Sequence, residues 1–245
     1  MNPIAILAIT AIGLGLIAVA IGSRSDADAG DLGDDMPKPP TNPAEVTSGI
    51  DALIPIFRSA AQMYRVPISI LAALSKQESG HNPRAVNIGS YDDALGGSWG
   101  HLQLTYATAV RLGYTGLPPD RIFVQRAGSR SFWIGSLEGL LDPQVTTNLI
   151  ASASIKPSLI RGRSVGDIAS IHNSGRTMAQ LAASITAFEA RSSGSTTGVV
   201  EADKVTPAQA AARALRLRAT RDVYVPRVIR FQSEYAYLDA DDAVS

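Results

Sequence analysis

Cysteine is absent from the 245-residue chain, which excludes disulfides, thiolate metal sites, iron–sulfur clusters and a cysteine nucleophile. Charge is sparse: 18% of residues are Asp, Glu, Lys or Arg against 45% hydrophobic, a balance incompatible with global disorder. Net charge is missing as well, because 22 basic residues meet 22 acidic ones. The total therefore gives no support to a nucleic-acid binder or an acidic solvating chain. Only three histidines occur (His81, His101, His172). No H-E-x-x-H pair accompanies them, so neither a metal nor another cofactor is expected.

Long apolar runs are also scarce, with one exception. Residues 4–21 carry no charge and are rich in Ile, Leu and Ala; at about 1.5 Å per residue they just span a hydrocarbon core of roughly 30 Å. A cleaved signal peptide would want a basic start, which Asn2-Pro3 does not supply, although Ala18-Val19-Ala20 is a passable cleavage site. The expectation is a transmembrane anchor over residues 1–22, with a signal peptide as the alternative. Residues 23–48 hold Asp26, Asp28, Asp31, Asp34, Asp35 and Glu45 together with four prolines, the composition of a disordered, solvated linker. Residues 239–245 read as an acidic tail. Between these ends, residues 49–238 contain 20 bases, 17 of them arginine, and 13 acids. That excess suits an anionic partner such as a wall polymer, a nucleic acid or a membrane surface, or simply an arginine-rich solvated face.

Within 49–238 the apolar spacing is mainly helical. Ile50, Leu53, Ile54, Phe57, Ala61 and Tyr64 recur at three- and four-residue steps. Pro67 suits the first residue of a second helix, 68–77, ending near Gly80. A shorter helix over 105–112 closes at Gly113, and 114–130 reads as a long loop. Asp142-Pro143, Ser164, Thr177 and Thr206-Pro207 are start signals for further helices, and Asp222 for the last, to about Tyr235. Residues 191–205, rich in Ser, Thr and Gly, read as mobile. Strand-like alternation is scarce, so the fold class is mainly α.

Glu78 is the leading catalytic candidate. Leu74 and Leu71 precede it by four and seven residues, so its side chain shares the buried stripe of its helix. Apolar surroundings and the negative end of the helix dipole both disfavour a charged carboxylate, which is what a general acid requires. Pairing with Arg84 at the helix end is the plainer alternative. The neighbourhood then matters. Gln77-Glu78-Ser79-Gly80-His81-Asn82-Pro83 is followed by Gly97-Ser98-Trp99-Gly100-His101-Leu102-Gln103-Leu104 and Ala107-Thr108-Ala109. Leu141-Asp142-Pro143, His172-Asn173-Ser174-Gly175, Tyr224-Val225 and Val228 come after.

This order resembles the soluble lytic transglycosylase and goose-type lysozyme family, over 50–190 and a closing helix at 222–235; 114–140 and 191–221 stand as insertions. The resemblance implies a lysozyme-like fold and cleavage of peptidoglycan between N-acetylmuramic acid and N-acetylglucosamine. Glu78 would act as acid and then as base, in a lytic transglycosylase that needs no second carboxylate. Ser79 would hold Glu78 or the sugar; Ser98, Gln103, His172 and Asn173 would complete the substrate site. Three departures from the pattern stand out. His172 replaces the usual aromatic residue before the Asn, His101 stands where Leu packs, and the loop after Glu78 is long and contains Asp92 and Asp93. Either aspartate, if it faced the cleft, could activate water and make the enzyme an inverting hydrolase. Trp99 and Trp133 could stack on sugars or belong to the core. The partners expected are glycan strands and a membrane, with the domain on the periplasmic, wall-facing side; secretion or virion assembly partners fit a tethered wall enzyme, and no nucleic acid is expected. An inactive assembly module of a secretion system or phage particle is the reading from another class.

Overall fold

The computed structural model describes residues 49–87, 97–116, 121–126, 129–134 and 139–242. The expected membrane anchor 1–22, the expected linker 23–48, and Asp92 and Asp93 lie outside the described residues. Among those described, no helix is long and apolar enough to cross a membrane.

Helix α1 (Ile50–Tyr64) turns back at Arg65, and α2 (Ile68–Ser79) follows with Pro67 as its N-cap. Every residue of α2 from Ile68 to Ser75 is buried. A helix buried all round is the centre of a core, and α1, α10 (Val225–Glu234) and α11 (Tyr237–Asp242) pack on it. Gly80, left-handed at φ 66°, ends α2 and donates its N–H to the Lys76 carbonyl. Three two-residue strands then pair antiparallel in the order β1 (Val86–Asn87), β2 (Ser98–Trp99), β3 (Leu104–Thr105), with Trp99 opposite both Val86 and Leu104. Thr105 caps α3 (Tyr106–Arg111) by accepting from the Thr108 N–H.

The start signals hold at α4 (Pro143–Ile150), capped by Asp142, and at α6 (Val165–Ser174), capped by Ser164. They hold also at α7 (Met178–Ser192) and α9 (Pro207–Ala219), where Thr177 and Thr206 form capping boxes with Gln180 and Gln209. Between α4 and α5 (Lys156–Ile160) the helix widens into a π turn, Ala151–Ile155.

Four expectations change. Part of the 114–130 loop is strand: β4 (Arg121–Arg126) pairs with β5 (Ser129–Ile134) in an antiparallel hairpin. Asp222 opens no helix. The chain stays helical from α9 into α10 through a second π turn, Thr220–Tyr224, and the Asp222 carboxylate holds the Arg221 guanidinium instead. Residues 191–205 include α8 (Val200–Asp203), and 191–221 is built on a small core in which Leu181, Ile185 and Phe188 of α7 meet Ala202, Ala210, Ala214 and Leu217. Lastly Asp239, expected in the acidic tail, lies in α11 and accepts from both the N–H (3.0 Å) and the hydroxyl (2.5 Å) of Ser69. An acid at the positive end of α2 satisfies donors that the helix itself leaves open.

Candidate active site

Glu78 sits in the last turn of α2, its side chain 8% exposed. Its Oε1 accepts a 2.5 Å hydrogen bond from the Tyr224 hydroxyl and lies 3.4 Å from Nε2 of His172. Arg84 is not among these partners; it is exposed on the loop beyond. Burial, with the Glu78 charge adding to it, pushes the Tyr224 phenol well above its ordinary value, so Tyr224 is a donor under all ordinary conditions. No partner for Oε2 is found among the described residues. One oxygen of the carboxyl is therefore held.

The second π turn explains how these groups meet. One extra residue per turn rotates the helix beyond it, and such turns recur at functional sites. Thr220, at its start, donates from Oγ1 to Oδ1 of Asn173 at 2.7 Å; Tyr224, at its end, reaches Glu78. Asn173 and His172 are adjacent in the last turn of α6, which Gly175 closes at φ 71°. One irregular turn thus fixes the neighbour of His172 and the partner of Glu78 together.

The opposite side is the turn between β2 and β3. Gly100 has φ 72°, and a Cβ there would lie 2.7 Å from the Leu140 carbonyl oxygen, so only glycine fits. Gln103 is left-handed at φ 48°, a strained state for a residue with a side chain. Its amide nitrogen compensates by donating to the carbonyls of Gly100 (2.8 Å) and Ala85 (3.2 Å). Ser79 ties this turn to α2: its hydroxyl donates to the His101 carbonyl at 3.0 Å and accepts from the Asn82 N–H. Both polar side chains are thus engaged with backbone. Ser98 is buried within the small sheet between β1 and β3. Trp99 is fully buried among Ala109, Leu140 and Leu141, which makes it a core residue rather than a sugar platform.

Behind the site runs a polar chain that the sequence did not reveal. His101 is fully buried, with Nδ1 3.1 Å from Oγ of Ser75 and Nε2 near the Thr147 hydroxyl (3.1 Å) and the Pro143 carbonyl (3.4 Å). His81 Nδ1 meets the same Ser75 oxygen at 3.1 Å, and its Nε2 meets the Tyr235 hydroxyl at 2.8 Å. A carbonyl only accepts, so it assigns the His101 proton to Nε2. The remainder follows from one proton per bond: Tyr235 donates to His81, His81 to Ser75, and Ser75 to His101. Burial pushes both imidazoles down, His81 to about 4 with the Lys76 charge contributing, and His101 to about 3. Among the described residues no cluster of His, Asp or Glu is arranged to hold a metal ion.

A mainly helical body around one buried helix, whose last turn carries Glu78 beside a short three-stranded sheet, fits a lysozyme-like domain. Residues 55–123 match the family model of the Transglycosylase SLT domain, which supports the lytic transglycosylase family that the sequence motifs resemble. At the level of that family the substrate is peptidoglycan and the activity is of the glycosidase or transglycosylase type. A search of curated proteins finds no match. The matched stretch includes Glu78, Ser79, Ser98 and Gln103; His172, Asn173 and Tyr224 lie beyond it and are joined to it by the fold.

Proposed function

We propose that the protein is a lytic transglycosylase that cleaves the bond from N-acetylmuramic acid to N-acetylglucosamine, with Glu78 as its catalytic residue. The observation that carries this reading is the Glu78 carboxyl, nearly buried, held at Oε1 by Tyr224 and without a described partner at Oε2. In the first step protonated Glu78 gives its proton to the glycosidic oxygen as the bond from C1 breaks and positive charge develops on the muramyl ring. In the second, the carboxylate takes a proton from the muramyl 6-hydroxyl as O6 attacks C1. The anhydro ring closes, Glu78 is again the acid, and no water is consumed. Asn173, fixed by Thr220, would face the sugar from α6. Gln103 and Ser79 would shape the opposite wall through the backbone that they hold. Attachment by residues 1–22, with the domain on the wall-facing side, belongs to the same proposal and is supported by the uncharged run alone.

Glu78→Gln keeps the shape and the Tyr224 contact but has no acid to give. Peptidoglycan clearing by the full-length protein should fall by about 10³-fold or more; unchanged clearing would remove Glu78 from the reaction. Mass spectrometry of the released muropeptides decides the chemistry. Anhydro ends agree with the proposal, whereas reducing ends would mean hydrolysis, with Asp92 or Asp93 as the group to activate water. No release from intact sacculi by the wild-type chain would favour the inactive assembly module.

A further inference from the structure

Two of the four residues in the Gly100–Gln103 turn are left-handed, Gly100 at φ 72° and Gln103 at φ 48°. A strained turn of this kind keeps its shape only where its surroundings hold it. Both residues between them are buried: Leu102 joins the main core, and His101 has no exposed surface. Three helices meet on the His101 ring. Phe57 of α1 packs against it with ring centroids 5.6 Å apart. Ser75 of α2 donates to Nδ1 at 3.1 Å, and Pro143 and Thr147 of α4 lie at Nε2.

Ser75 stands three residues before Glu78, and Ser79 follows it directly. The Ser79 hydroxyl donates to the His101 carbonyl at 3.0 Å. One turn residue is thus tied to α2 twice, by its side chain before the acid and by its main chain after it. An apolar side chain could fill the same space. Dispersion contacts, however, are individually weak and set no direction, whereas a hydrogen bond fixes distance and angle together. We propose that His101 is a positioning residue whose ring clamps the Gly100–Gln103 turn between α2 and α4, and so fixes the wall beside Glu78.

This role rests on the catalytic reading of Glu78 and extends it to a side chain that touches no sugar. The bond from Ser75 carries most of it, because it joins the turn to the helix that bears the acid. Without that bond the turn is free to shift against α2, and a sugar lying on it moves away from the proton that Glu78 gives. Such a displacement lowers turnover rather than affinity, since no contact to the sugar is removed. The bond can be deleted from either end. His101→Leu keeps an apolar side chain of comparable size against Phe57, and Ser75→Ala removes a single buried hydroxyl.

Two measurements on the full-length chain, at neutral pH and well below its Tm, test the clamp. The first needs no activity. The N–H groups of Gly100 and Gln103 are bonded to the carbonyls of Ala85 and Gly100, and in His101→Leu they should exchange with deuterium at least about tenfold faster than in the wild type. Those of α7 and α9 should not change. The second is a double-mutant cycle on glycan strands. His101→Leu and Ser75→Ala should each lower kcat about tenfold with KM within about threefold, and the double variant should lose little more, since both delete one bond. If the leucine variant folds poorly, Ser75→Ala alone should show the faster exchange and the lower kcat. Unchanged exchange in the turn, a wild-type kcat in either single variant, or losses that multiply to about a hundredfold in the double variant overturn the proposal. Faster exchange in a protein that clears no peptidoglycan would support the clamp and overturn the catalytic reading instead.

Discussion

Tyr224 carries more of the site than its position in an apolar stripe suggests. Its hydroxyl reaches Glu78 across 146 positions of chain, and it cannot ionise in any range where the enzyme works. In the proposed mechanism its bond favours the first step, since it is strongest to the carboxylate that forms as the acid gives up its proton. Tyr224→Phe retains the ring and its packing on the core while deleting that bond. Hydrogen bonds to charged groups contribute about 1.5–3 kcal/mol, so kcat should fall by roughly 10- to 100-fold with KM little changed. Steady-state kinetics on soluble glycan strands would check it. A fall confined to KM would mean that the hydroxyl binds sugar rather than holding Glu78.

The elements show where sequence reading succeeds and where it stops. Side-chain caps are local, and the starts of α4, α6, α7 and α9 were legible because Asp142, Ser164, Thr177 and Thr206 bond to N–H groups two or three residues on. The burial of the Glu78 side chain was legible from its stripe, and the Gly100–Gln103 turn from its glycine. The π turns were not, since a π turn keeps the composition of the helix around it and reveals itself only by which distant residues come together. Asp222 misleads for the same reason: a good cap residue reads as a start, whereas the helix runs on through it. Asp239 was hidden by distance, as its bond to Ser69 spans 170 positions. That bond closes the N-terminus of α2, on whose far end Glu78 stands. Asp239→Ala should leave the Ser69 N–H without its acceptor and weaken the charge balance at the positive helix end, a loss of about 1–2 kcal/mol. Calorimetry should register it as a fall in Tm of several degrees, and an unchanged Tm would show that water replaces the carboxylate without cost.

At the scale of the whole molecule, two neutral imidazoles inside the fold link its stability to pH. Burial holds His81 at about 4 and His101 at about 3, while in the unfolded chain both would titrate at about 6.5. A folded-state value below the unfolded one means that the unfolded chain takes up protons first. Stability from these groups is therefore complete above about pH 6.5 and is lost as pH falls toward 4 and then 3. His101, with no access to water, contributes the larger share, on the order of 3 kcal/mol lost by pH 4. Tm should begin to fall near pH 6.5 and fall steeply toward 4, a decline that starts above the range in which ordinary surface carboxylates take up protons. His101→Leu separates this cause from others. Leucine is apolar and of comparable size, so it removes the acid-labile group and leaves Ser75 bonded to His81. The variant should have a visibly flatter Tm profile over the same interval, with the residual slope due to His81. An equally steep profile would move the origin of the acid sensitivity away from the buried histidines and toward the exposed ion pairs between α7, α8 and α9, such as Glu189 with Arg218.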